Sequence, residues 1–156
     1  MLSRPFRLLF LALVLSVPSV ALAQSPARAS EWSAGARAGF SLSPDQFIVG
    51  GHLESPDLPQ QFLERLTFRP TFEVGVSDAD TRVMIHLEFA LWAPFPDTPF
   101  SAYAVVGPGL ELSNSAGGVV TFGVGVQHDK GYFAELKYLS GEARIVGGLK
   151  LNLSRR

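Results

Sequence analysis

The stretch Thr81-Arg-Val-Met-Ile-His-Leu-Glu-Phe-Ala-Leu-Trp92 decides the fold. Val83, Ile85, Leu87, Phe89 and Leu91 alternate with Arg82, Met84, His86, Glu88 and Ala90. Successive side chains of a strand point to opposite faces, so a period of two held this long reads as one β-strand with a greasy and a polar face. The stretch before it behaves the same way. Leu66, Phe68, Pro70, Phe72, Val74 and Val76 oppose Arg65, Thr67, Arg69, Thr71, Glu73 and Gly75.

Outward from these two, alternation recurs between clusters of turn-forming residues. Eight strands are predicted: Glu31–Ser41, Gln46–Glu54, Arg65–Val76, Thr81–Trp92, Phe100–Leu112, Gly118–His128, Tyr132–Leu139 and Ala143–Leu153. Most are longer than the usual soluble strand of about 5–6 residues. They match tilted membrane strands, which need about 9–11. No strand carries a charge in the middle of its apolar face.

The chain begins differently. Arg4 and Arg7 precede an apolar run from Leu8 to Val17, and Ala21-Leu22-Ala23 follows. A basic start, short apolar core and small-x-small end mark a secretory signal peptide over residues 1–23, cleaved after Ala23. Residues 24–30 are expected to form a flexible lead-in, 31–153 the barrel domain and 154–156 a C-terminal tail. Without Arg4 and Arg7, 11 basic side chains face 14 acidic ones, so nothing suggests nucleic acid. There is no cysteine for disulfides or thiolate metal ligands. Charged residues make up 17% of the chain, below the roughly 25–35% suited to a soluble surface.

Two architectures share this pattern. A soluble sandwich or lipocalin-like barrel turns its apolar face inward, whereas a membrane barrel turns it to lipid. The polar face decides between them. It is rich in small residues (Gly35, Gly39, Gly50, Gly75, Gly107, Gly123, Gly125 and Gly148 among them) that gain nothing from water but fit a narrow lumen. Its charges are of both signs: Arg37, Arg69, Glu73, Arg82, Glu88, Glu111, Glu135, Lys137, Arg144 and Lys150. In a closed lumen they can pair. Lipid also requires every backbone group to be satisfied internally, so the sheet must close. The expected fold is all-β, a closed antiparallel up-and-down barrel of about eight strands. Trp32, Phe40, Phe47, Phe100, Tyr132 and Tyr138 lie near segment ends on the apolar face and would form interfacial girdles. Pro70 and Pro108 lie inside strands, where each removes a ladder donor, and a bulge is expected at each.

The stretches Tyr103-Ala-Val-Val-Gly-Pro-Gly-Leu-Glu-Leu112, Thr121-Phe-Gly-Val-Gly-Val126 and Gly131-Tyr-Phe-Ala-Glu-Leu-Lys-Tyr138, with the closing Gly148-Leu-Lys-Leu-Asn-Leu153, resemble the small outer-membrane β-barrel proteins, of which the OmpA membrane domain and OmpX are members. The resemblance covers nearly all of residues 31–153. It implies a non-enzymatic integral outer-membrane protein with a filled polar interior and an envelope-structural or surface-contact role. Its partners would be outer-membrane lipid and, during insertion, the barrel-assembly machinery. The connections that should face outward, after strands one, three, five and seven, are all short. The longer ones, Ser55–Glu64 and Ala93–Pro99, would face the periplasm.

No catalytic, cofactor-binding or metal-binding residue is predicted. His52, His86 and His128 have no metal-motif spacing, and no Gly-x-Ser-x-Gly elbow or phosphate loop occurs. His86 with Glu88, and Arg69 with Glu73, read as lumenal ion partners. Glu135-Leu-Lys-Tyr-Leu-Ser-Gly141 resembles the region of lipid A deacylases that carries a His and then a Ser two residues later. Here Tyr138 stands in place of the histidine, leaving Ser140 without a general base. Two alternatives remain open at this point: a soluble periplasmic barrel binding a small apolar ligand, and a lipid A-modifying outer-membrane enzyme.

Overall fold

A computed structural model describes residues 31–42, 45–59, 65–78, 81–113 and 116–153. The expected signal peptide (1–23), the lead-in (24–30) and the tail (154–156) all lie outside the described residues. Eight strands form one closed antiparallel barrel: β1 (Ser33–Leu42), β2 (Asp45–Glu54), β3 (Leu66–Val76), β4 (Thr81–Pro94), β5 (Phe100–Leu112), β6 (Ala116–His128), β7 (Tyr132–Leu139) and β8 (Glu142–Asn152). Each strand pairs with its neighbours in sequence, and β1 pairs with β8 to close the wall. Carried once round the wall, the eight registers return to β1 displaced by about ten residues. That stagger goes with strands tilted about 35–45° and a lumen just wide enough for side chains to fill.

The strand limits agree with the predicted ones to within two residues. β1 starts two residues late, at Ser33, and two other two-residue shifts arise where alternation is silent. β6 starts at Ala116 because Ala116 pairs with Leu112, and Ala116, Gly117 and Gly118 carry no apolar-polar contrast. β4 runs on to Pro94 because Ala93 and Pro94 still pair with Ala102 and Ser101.

The wall faces the way the glycines imply. On β4, Met84, His86, Glu88 and Ala90 are 0% exposed, whereas Ile85, Leu87, Phe89 and Leu91 are 40–46% exposed. The same division holds on β3, β6 and β7, where Phe72, Phe122 and Leu136 point out while Glu73, Thr121 and Lys137 point in. The interior is not purely polar. Ile48, Met84, Val105, Val119, Phe133, Leu139 and Val146 are buried there and pack around the ions. Five of the six expected girdle aromatics (Trp32, Phe40, Phe47, Phe100 and Tyr132) are exposed on the outer wall, and Tyr138 is half-buried.

Both prolines sit flush, which corrects the expected bulges. His86↔Gly109 and Phe89↔Val106 belong to one register, so no residue is inserted at Pro108. Pro70 keeps its register with Leu87 on β4. On the β2 side the ladder stops at His52↔Thr71 and resumes in the same register where Ser55 N–H donates to the Phe68 carbonyl at 2.9 Å. Each proline therefore costs the pairs beside it without shifting the strand. A missing N–H removes one ladder bond and does not by itself demand an extra residue.

Some strands approach too closely for a side chain. A Cβ on Gly148 would collide with the Ala36 carbonyl and come within 2.6 Å of the Phe133 ring. Gly148 pairs with both Arg37 and Phe133, so this contact sits at the barrel seam. Replacing Gly148 with valine is expected to destabilise the folded barrel by about 1–3 kcal/mol, the usual cost of overpacking. Urea unfolding of the refolded protein in detergent measures it.

Candidate functional site: a buried ion network in the lumen

The interior charges come from different strands and meet along the barrel axis. Arg37 on β1 places Nη1 3.0 Å from Glu73 of β3 and 3.4 Å from Glu135 of β7. Arg69 on β3 places Nη2 2.8 Å from Glu88 of β4 and 2.9 Å from Glu135. Lys137 on β7 lies at the centre, with Nζ 2.6 Å from Glu88, 3.2 Å from Glu73 and 3.6 Å from Glu135. Arg144 on β8 reaches Glu73 at 3.4 Å and Glu142 at 2.9 Å. Glu142 also receives Arg82 at 2.7 Å, and Arg82 pairs with Glu111 at 3.2 Å. Arg37, Arg69, Arg82, Lys137 and Arg144 thus face Glu73, Glu88, Glu111, Glu135 and Glu142, five of each sign in one connected network.

Charge balance is what makes this burial tolerable. An ion taken out of water costs several kcal/mol, recovered only with good geometry and further hydrogen bonds. Those bonds are present. Tyr103 donates its hydroxyl to Glu135 at 2.9 Å and Thr71 donates to Glu88 at 3.2 Å. His52 Nδ1 lies 2.8 Å from Arg37 Nη2, and His86 Nδ1 lies 2.9 Å from the Thr121 hydroxyl.

A second, smaller cluster closes the end where the described chain begins and ends. Lys150 pairs with Glu54 at 3.0 Å, Thr67 donates to Glu54 at 2.9 Å, and the Trp92 indole N–H donates to Thr67 at 3.0 Å. The Trp92 ring also carries two cations, Lys150 Nζ at 4.6 Å and Arg65 Cζ at 4.8 Å, and packs on Tyr103. Arg65 is held by Asp57 at 3.1 Å. The longer connections, 55–65 and 95–99, lie at this end together with 129–131, and the four connections at the other end each span two to four residues.

All ten charges predicted for the lumen stand there and are paired. His86 and Glu88 both face inward, where His86 meets Thr121 and Glu88 meets Arg69 and Lys137, and Glu73 and Arg69 reach different partners. Four contributors were missed: Glu142, assigned to a turn, and Trp92, Tyr103 and Glu54, whose parity with Glu88, Glu111 and His52 places them inside. The signal for Tyr103 was a small partner, Gly125, which pairs with it across β5–β6 and has no side chain to meet its ring.

Ser140 lies in the β7–β8 turn with φ 41°. Its end of the barrel has no histidine: His52 and His86 are buried in the lumen, and His128 closes β6 at the opposite end. Among the described residues no group of acidic and histidine side chains could hold a metal ion.

No protein-family model and no curated protein matches the chain. Solved structures do. It is similar to the N-terminal β-barrel domain of Pseudomonas aeruginosa OprF, with a TM-score of 0.56 at 14% identity, covering 80% of this chain and 100% of that one. It is also similar to the outer membrane enzyme PagL, with a TM-score of 0.50 at 9% identity, covering 79% of this chain and 99% of that one. The chain therefore has the eight-stranded barrel fold shared by these two outer-membrane structures.

Proposed function

We propose that the chain is an integral outer-membrane protein without enzymatic activity, its filled barrel serving envelope structure or surface contact. The observation that carries this reading is the direction of the wall, with greasy side chains outside and a charge-balanced network inside. Such a wall suits hydrocarbon and would be a large aggregation-prone patch in water. It runs against the lipocalin-like alternative, whose apolar face must line the cavity. Tyr138 in the place of the histidine two residues before Ser140 runs against the lipid A-modifying alternative. The short turns at one end favour a structural role over a large adhesive surface. On this reading the partners are outer-membrane lipid and, during insertion, the barrel-assembly machinery.

Heat modifiability tests it. Unboiled protein refolded in detergent is expected to migrate differently from boiled protein on a detergent gel, and to fractionate with outer membranes. Identical migration, or recovery from the soluble periplasm without detergent, would reject the proposal.

A further inference from the structure

The break beside Pro70 leaves a groove in the outer wall. The Leu53–Pro70 and Glu54–Arg69 pairs are absent, while the ladder holds on either side. Paired residues in an antiparallel ladder alternate between those that exchange two hydrogen bonds and those that exchange none. Ser55 bonds to Phe68, so Leu53 and Pro70, two residues along, form the next exchanging pair. Pro70 has no N–H, and the Leu53 carbonyl therefore has no ladder donor. At the same level Gly51 puts no side chain on the outer wall. The result is an open groove of about 550 Å³ lined by Gly51, Leu53, Pro70, Phe72 and Ile85, with His52 at its floor. It is continuous with the exposed apolar belt, where Leu53, Phe72 and Ile85 are 42–49% exposed.

We propose that this groove holds one acyl chain of a membrane lipid, and that the Leu53 carbonyl selects a chain bearing a hydroxyl. The groove is open and its lining is mostly hydrocarbon, which fits a flexible alkyl chain lying along the wall, and a void there would forfeit dispersion contacts. The carbonyl adds a polar requirement. A backbone acceptor without a partner in hydrocarbon is costly, so a donor brought by the lipid is favoured. This rests on the outer-membrane reading, since it takes the outer wall to face lipid.

The test uses the full barrel refolded in detergent, titrated with myristate, 2-hydroxymyristate and 3-hydroxymyristate, with retention of each scored by native mass spectrometry. At least one hydroxylated chain is expected to be retained about tenfold better than myristate, the ratio one buried hydrogen bond supplies. Pro70→Ala restores an N–H beside Leu53 and should bring that ratio to about one. Equal retention of all three by the wild type, or a ratio unchanged in Pro70→Ala, would overturn the proposal. Heat modifiability of the same samples keeps the two readings apart: a heat-modifiable barrel without hydroxyl preference removes this inference alone.

Discussion

Replacing Glu73 with leucine is expected to destabilise the barrel by about 3–5 kcal/mol, the cost of removing one partner from a buried ion pair. Glu73 is 0% exposed and lies within 3.4 Å of Arg37, Lys137 and Arg144. Its loss leaves three buried cations sharing fewer carboxylates. Arg37 and Lys137 keep Glu135, and Arg144 keeps Glu142, so the effect should stop short of abolishing folding. A Glu73→Gln variant, which keeps shape and hydrogen bonding but not charge, should fall between the two. Equilibrium urea unfolding of the refolded proteins in detergent or lipid vesicles measures all three. A change below about 1 kcal/mol, the range of exposed surface pairs, would mean that water reaches this network.

The second large effect concerns the opposite face. Val124 lies near the middle of β6, points out, and has Ala104 and Leu136 as its pairing partners. Val124→Arg is expected to cost about 2–4 kcal/mol in a bilayer, the penalty for a charge at mid-depth on the lipid side of a barrel. Leu153→Arg, beyond the end of β8, should cost about 0–1 kcal/mol because the headgroup region is within reach. Vesicle refolding with urea titration reads both. In a water-soluble barrel the two substitutions would be equally harmless, so the depth dependence itself is the diagnostic.

Much of this fold is written in local alternation. Val83 to Leu91 and Phe68 to Val76 announce strand, length and two-facedness without any neighbour. The small residues at Gly35, Gly125 and Gly148 announce which face is inside, because a narrow tube penalises bulk. What alternation does not carry is who meets whom across the tube. Arg37 and Glu135 are neighbours only once β8 has joined β1, and their contact depends on the stagger accumulated over all eight ladders. The prolines fail for a related reason. Whether a missing N–H produces a bulge depends on the strand opposite, and at Pro70 and Pro108 the opposite strand tolerates a gap. Trp92 and Tyr103 were hidden because aromatic residues signal a greasy wall, whereas these two use their N–H and O–H to bond Thr67 and Glu135 inside.

The lumenal bonds also tie together strands that never touch edge to edge. Arg37 joins β1 to β3 and β7, and Lys137 joins β7 to β3 and β4. A half-built sheet would expose these charges to hydrocarbon with their counterparts still elsewhere. Intermediates on the way into the bilayer are thus disfavoured from within, and insertion should proceed as a single all-or-none event rather than hairpin by hairpin.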